Sequence, residues 1–164
     1  MQKSKARLDT IEIVSRAVEP LSKRELEQTL EHMCRSDTGS REGRLCIVRK
    51  ARSMFDGEAA VRTFVRDVIR GRAPAMACPL VVVRLKSPCT LRSFVERTAS
   101  ALGLRDQRTT SVANTLGAIA SILTRQRIRI MIFEDMPADF GGPWVIEAVK
   151  GFARQGMQIV CVVV

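Results

Sequence analysis

The chain has 164 residues, 46% of them hydrophobic and 27% charged, which suits one globular domain able to bury most of its apolar surface. No apolar run approaches the roughly 20 residues needed to cross a bilayer, and a single histidine, His32, excludes histidine triads and multi-histidine metal sites. The net charge of +10, carried mostly by arginine, favours polyanionic partners because a planar guanidinium can hold two phosphate oxygens.

Residues 1–43 read as an N-terminal helical extension and linker. The opening MQKSKARLD has basic residues with no apolar segment behind them, so a cytoplasmic protein without a secretory leader is expected. A first helix is predicted from about Leu8 to Val18, with Leu8, Ile11 and Val14 on one side and Pro20 as its stop. A second starts at Ser22, where S-K-R-E has capping-box spacing, and carries Leu26, Leu30 and Met33 as its stripe. The polar, turn-rich RSDTGSREG (35–43) follows as a linker.

From residue 44 to residue 164 the rhythm changes to that of an α/β core. Apolar strand-like runs occur at LCIV (45–48), LVVVRL (80–85), IRIMIF (128–133) and QIVCVVV (158–164). Helical stripes separate them: Val61, Phe64, Val65 and Val68; then Leu91, Phe94, Val95, Thr98 and Leu102, stopped by Gly103. Val112, Leu116, Ile119, Ala120 and Leu123 form a third, and Val145, Ile146, Val149 and Phe152, closed by Gly156, a fourth. Strands of nearly continuous β-branched residues require cover on both faces, so a three-layer domain with a mainly parallel sheet is predicted. Five cysteines (Cys34, Cys46, Cys78, Cys89 and Cys161) with no C-x-x-C spacing read as buried free thiols.

Two stretches bear on chemistry. The first, RKARSMFDGEAAVRTF (49–64), has the strand–loop–helix order of a phosphate-binding loop. Aligning Gly57 with the second glycine of G-x-x-x-x-G-K-[ST] puts Arg52 at the first glycine, Glu58 at the lysine and Ala59 at the hydroxyl. A lysine about 4 Å from a phosphate charge gains roughly 4 kcal/mol at an effective dielectric near 20, and a glutamate loses a similar amount. A residual 3–4 kcal/mol of that swing is about a hundredfold to a thousandfold in affinity. Arg49, Lys50, Arg52 and Arg62 offset part of it if they turn inward, and they are the candidate contacts to nucleic acid. The alternative reading of Gly57 is a loop glycine before a helix.

The second stretch is RIRIMIFEDMPADF (127–140), where Glu134 and Asp135 follow four apolar residues at the C-terminal end of a strand. Ligands of open α/β sheets bind there, and in nucleotide hydrolases such an acidic pair positions magnesium and polarises water. A solvated acidic pair that merely ends the strand is the competing explanation.

From about Leu21 to Val164 the order of these features resembles the TniB family of AAA+ ATPases, transposition accessory proteins related to TnsC-type target selectors. PLVVVRLKSPCTLRSFVERTASALGL (79–104) is similar to that family's second strand, proline-containing turn and following helix. RIRIMIFEDM (127–136) resembles its Walker B segment, and WVIEAVKGFARQGMQIVCVVV (144–164) its next helix and sensor strand. The resemblance implies a P-loop NTPase core of AAA+ type, with Glu134 and Asp135 as the catalytic, Walker B-like pair. It also marks the departures: Glu58 and Ala59 replace the lysine and hydroxyl, the acidic pair is swapped, and Pro137 stands where the family usually has histidine. The family continues past the fourth strand into a sensor residue, a fifth strand and a lid. A truncated, degenerate relative without efficient ATP hydrolysis is therefore expected, with no cofactor and with ATP and magnesium disfavoured. Its expected partners are DNA or transposase components, with no membrane. The competing expectation is a weakly active ATPase in which Glu134 holds magnesium and Asp135 orients water. A third is a homo-oligomer paired through LCIV, which AAA+ strand order would leave as a sheet edge.

Overall fold

A computed structural model of the chain describes residues 45–49, 57–69, 80–86, 88–105 and 110–163, together with Arg24 and Gln28, both helical. At 45–49, 57–58, 60–61 and 68–69 it describes the backbone alone. Apart from Arg24 and Gln28, the expected helical extension and linker over 1–43, including the capping box at Ser22 and His32, lie outside the described residues.

In chain order the elements are β1 (Leu45–Arg49), α1 (Gly57–Ile69), β2 (Leu80–Arg84), α2 (Leu91–Ala101), α3 (Val112–Arg125), β3 (Ile130–Met136), α4 (Pro143–Arg154) and β4 (Gln158–Val163). All strand pairs are parallel, in the order β1-β4-β3-β2. The starts of α2, α3 and α4 have local causes. Thr90 caps α2 in a reciprocal capping box with Ser93, Ser111 accepts the Asn114 N–H at α3, and Pro143 opens α4 with its preset φ.

The sheet is covered on both sides. Val81, Val83, Leu85, Met131, Phe133, Ile159, Cys161 and Val163 point into one core with Phe94, Val95, Ile119, Val145, Val149 and Phe152 of α2, α3 and α4. The Phe94 and Phe133 rings meet at 5.0 Å between centroids. On the opposite phase Ile130, Ile132, Val160 and Val162 are also buried. The β1-to-β2 crossover runs across the sheet one way, and the crossovers from β2 to β3 and β3 to β4 run back. Right-handed crossovers therefore put α1, which packs against β1, on the face opposite α2, α3 and α4. This is the three-layer α/β architecture that the strand composition predicts.

One boundary differs instructively. The predicted third strand, 128–133, instead begins at Ile130 and continues to Met136. The Ile128 N–H is spent on the Leu123 carbonyl at 3.0 Å, closing α3, so it cannot enter the ladder. At the other end the register against β4 slips: Phe133 lies opposite Cys161 and Met136 opposite Val163. One extra residue on β3 is a β-bulge, and Asp135 absorbs it with φ of 57°. The bulge resets the alternation, so Phe133 and Met136 both reach the same core although they are three residues apart.

Candidate functional site

The C-terminal edge of the sheet is where Arg49, the start of α1, Glu134 and Asp135 lie. β1 and β3 send their crossovers to opposite faces, which makes this edge the crevice where ligands of open α/β sheets bind. Arg49 ends β1 opposite Val163, and α1 begins at Gly57 after residues 50–56. Glu58 and Ala59 therefore occupy the first turn of α1, with Ala59 exposed. A carboxylate residue in the first turn of a helix is favoured by the positive end of the macrodipole. The same charge disfavours an anion at that helix start. Arg62 is exposed one turn further on, while Lys50 and Arg52 lie outside the described residues.

Glu134 and Asp135 are both brought to this edge, but the bulge separates their roles. Glu134 is buried, with its side chain 9% exposed, and its Oε2 accepts from Arg84 Nε at 3.2 Å. Arg84 lies directly opposite Glu134 in the β2–β3 register, and the Leu85 N–H donates to the Glu134 carbonyl at 2.9 Å. In place of the solvated acidic pair of the competing explanation stand one buried, arginine-paired carboxylate and one half-buried aspartate in the left-handed region. Arg84 was missed by sequence reasoning; its signal was a lone charge inside LVVVRL.

The loop after β3 is rigidly built. The Phe140 N–H donates to Pro137 O at 2.8 Å, the Gly141 N–H to Asp139 Oδ1 at 3.0 Å and the Gly142 N–H to Asp139 O at 3.1 Å. Phe140, Gly141 and Gly142 take φ of 57°, 72° and 95° in succession. Gly141 presses on the Cys89 backbone, joining this loop to the one before α2. Trp144, on the first turn of α4, is 73% exposed beside it. Burial pushes the Cys89 thiol up from its ordinary range, the Arg97 charge pulls it down and Asp139 pushes it up. A buried thiol kept protonated is a packing group and a poor nucleophile. Cys89 and Cys161 are buried thiols outside any disulfide, as expected of them.

Among the described residues no buried side-chain polar atom lacks a partner, and no group of three or more His, Cys, Asp or Glu side chains is arranged to hold a metal ion. No helix among them is long and apolar enough to cross a membrane. Among the described residues, this edge carries an ion pair and backbone hydrogen bonds.

The crystal structure of Cdc6p from Pyrobaculum aerophilum is similar, with a TM-score of 0.50 and 14% sequence identity over 88% of this chain. The chain spans 40% of the length of that protein. At this identity the likeness is one of fold, a P-loop NTPase-like α/β domain with a parallel sheet. No family model matches the sequence. A search of curated proteins finds no match.

Proposed function

We propose that this chain is a degenerate AAA+-like, TniB-like transposition accessory module that binds DNA or a transposition partner without efficient ATP hydrolysis. The observation that supports the reading is the start of α1 at Gly57, so that Glu58 and Ala59 fall in the first turn of a helix after a strand, the kind of position that can meet phosphate. The Arg84–Glu134 pair supports it. Serving magnesium would require the buried Glu134 carboxylate to leave its guanidinium partner, Arg84, whose own side chain is exposed. The residues present therefore do not fit a magnesium-bound triphosphate in the usual pose. The charge of +10 supports the nucleic-acid side of the proposal.

Equilibrium binding of fluorescent ATP to the wild type and to Glu58→Lys tests the nucleotide half. The expected result is no micromolar binding by the wild type and at least a tenfold gain in the variant; micromolar binding by the wild type overturns the proposal. For DNA, the logarithm of affinity is expected to fall by about 0.9 per phosphate contact for each unit of log salt. A salt-independent affinity rejects a phosphate-led interface.

A further inference from the structure

Three helices end at the N-terminal edge of the sheet, the edge away from Glu134, and all three close with the same turn. After α2 the Gly103 N–H reaches Ser100 O at 3.0 Å and the Leu104 N–H reaches Ala99 O at 2.9 Å. After α4 the Gly156 N–H reaches Ala153 O at 3.0 Å and the Met157 N–H reaches Phe152 O at 3.1 Å. After α3 the Arg127 N–H reaches Thr124 O at 3.2 Å and the Ile128 N–H reaches Leu123 O at 3.0 Å. The turn forces its central residue into the left-handed region, where glycine is free of steric cost and a side chain is not. Gly103 and Gly156 take φ of 80° and 91°; the third position, at φ of 53°, is Arg127.

Arg127 opens onto a cleft of about 590 Å³ whose lining also includes Arg129 and Arg154 above apolar Leu123, Ile128 and Met157. All three arginines are exposed. Arg154 also pairs with Glu147 at 3.4 Å, an exposed contact of the kind that contributes little and is readily surrendered. Cations at helix C-termini do offset the macrodipole, but Arg125 and Arg154 already occupy the last turns of α3 and α4. Arg127 lies beyond its helix and works against the backbone it sits on. A residue held in a disfavoured conformation calls for a gain elsewhere.

The shape decides between occupants. The helix ends turn carbonyls toward this edge, which disfavours a small anion seated on the backbone, and no unpartnered buried polar atom is aimed into the cleft. Guanidinium forks standing on an open rim suit phosphates that run past them, one after another. We propose that Arg127, Arg129 and Arg154 form a surface that grips the phosphodiester backbone of duplex nucleic acid. The inference rests on the DNA-binding reading above and adds a second surface, on the opposite edge from Arg49 and Arg62.

Fluorescence anisotropy with labelled duplex DNA over a sodium chloride series tests it, using the wild type and two multiple variants. One variant carries Arg127→Gly, Arg129→Gln and Arg154→Gln; the other carries Arg49→Gln, Lys50→Gln, Arg52→Gln and Arg62→Gln. The first is expected to lose at least tenfold in affinity at low salt and about two to three units of log–log salt slope. Arg127→Gly alone is expected to weaken DNA binding while raising the thermal midpoint, a pairing that a purely structural arginine does not give. An unchanged slope in the first variant overturns the cleft even if the second variant loses binding, in which case the DNA-binding reading survives. No binding by the wild type overturns both. Unchanged DNA binding with lost affinity for polyglutamate assigns the cleft to an acidic protein and also overturns the proposal.

Discussion

Gly141 shows how much a single residue can be asked to do at this edge. Its φ of 72° belongs to the left-handed region, and a Cβ built there would run into the carbonyl oxygen of Cys89. Neither obstacle yields easily, because the neighbour is backbone and not the end of a flexible side chain. Gly141→Ala is expected to destabilise the fold by about 2–3 kcal/mol, read as a shift in the urea midpoint. Gly103→Ala makes the comparison: its φ is 80° but nothing lies within 4 Å of the added Cβ, so only backbone strain of about 1 kcal/mol is expected. Equal losses at the two positions reject the steric part of the explanation. The turn itself was legible as G-G-P at 141–143, whereas the pressure on Cys89 comes from a segment some fifty residues earlier and leaves no mark in the local sequence.

Among the elements, β3 is where the sequence pattern and the structure part. An apolar run followed by two acids reads as a strand that stops, because charged residues belong in water. Arg84 across the ladder removes that reason for Glu134, and the left-handed Asp135 turns the chain so that Met136 is buried again. Arg84→Ala is expected to cost about 1–2 kcal/mol, since it strands a buried carboxylate. Arg84→Ala made on a Glu134→Gln background should cost clearly less, leaving a coupling of about 1 kcal/mol in the double-mutant cycle. Additive losses in chemical denaturation would show that the two side chains merely lie near each other. The helix ends were more transparent: Gly103 and Gly156 announce their turns, but Arg127 has no such signal because arginine is common inside helices.

At the scale of the molecule, strand order carries the consequence. β1 pairs with β4 on one side, and no strand among the described residues lies on its other side. An open strand edge offers unpaired N–H and C=O groups to a second chain. Self-association through β1 is the expected behaviour, seen as an elution volume in size-exclusion chromatography that falls as loading concentration rises. One monomeric peak at every concentration would remove β1 as an interface. Arg127, Arg129 and Arg154 gather at the N-terminal edge, while at the C-terminal edge Glu134 and Asp135 lie with Arg84.

Local chemistry was enough to specify the four strands, the helices between them and the three-layer packing. β-branched runs must be covered on both faces, and periodic stripes must find a core, whatever the rest of the chain does. The same local reading raised Glu58 and Ala59 as departures from the lysine and hydroxyl of a phosphate-binding turn, a comparison that needs only the residues themselves. Pairing was beyond its reach. That Arg84 faces Glu134, that Gly141 abuts Cys89 and that three arginines share one cleft are consequences of register and crossover. Contacts between residues far apart in the chain arise from how the elements stack, and no window of neighbouring residues contains them.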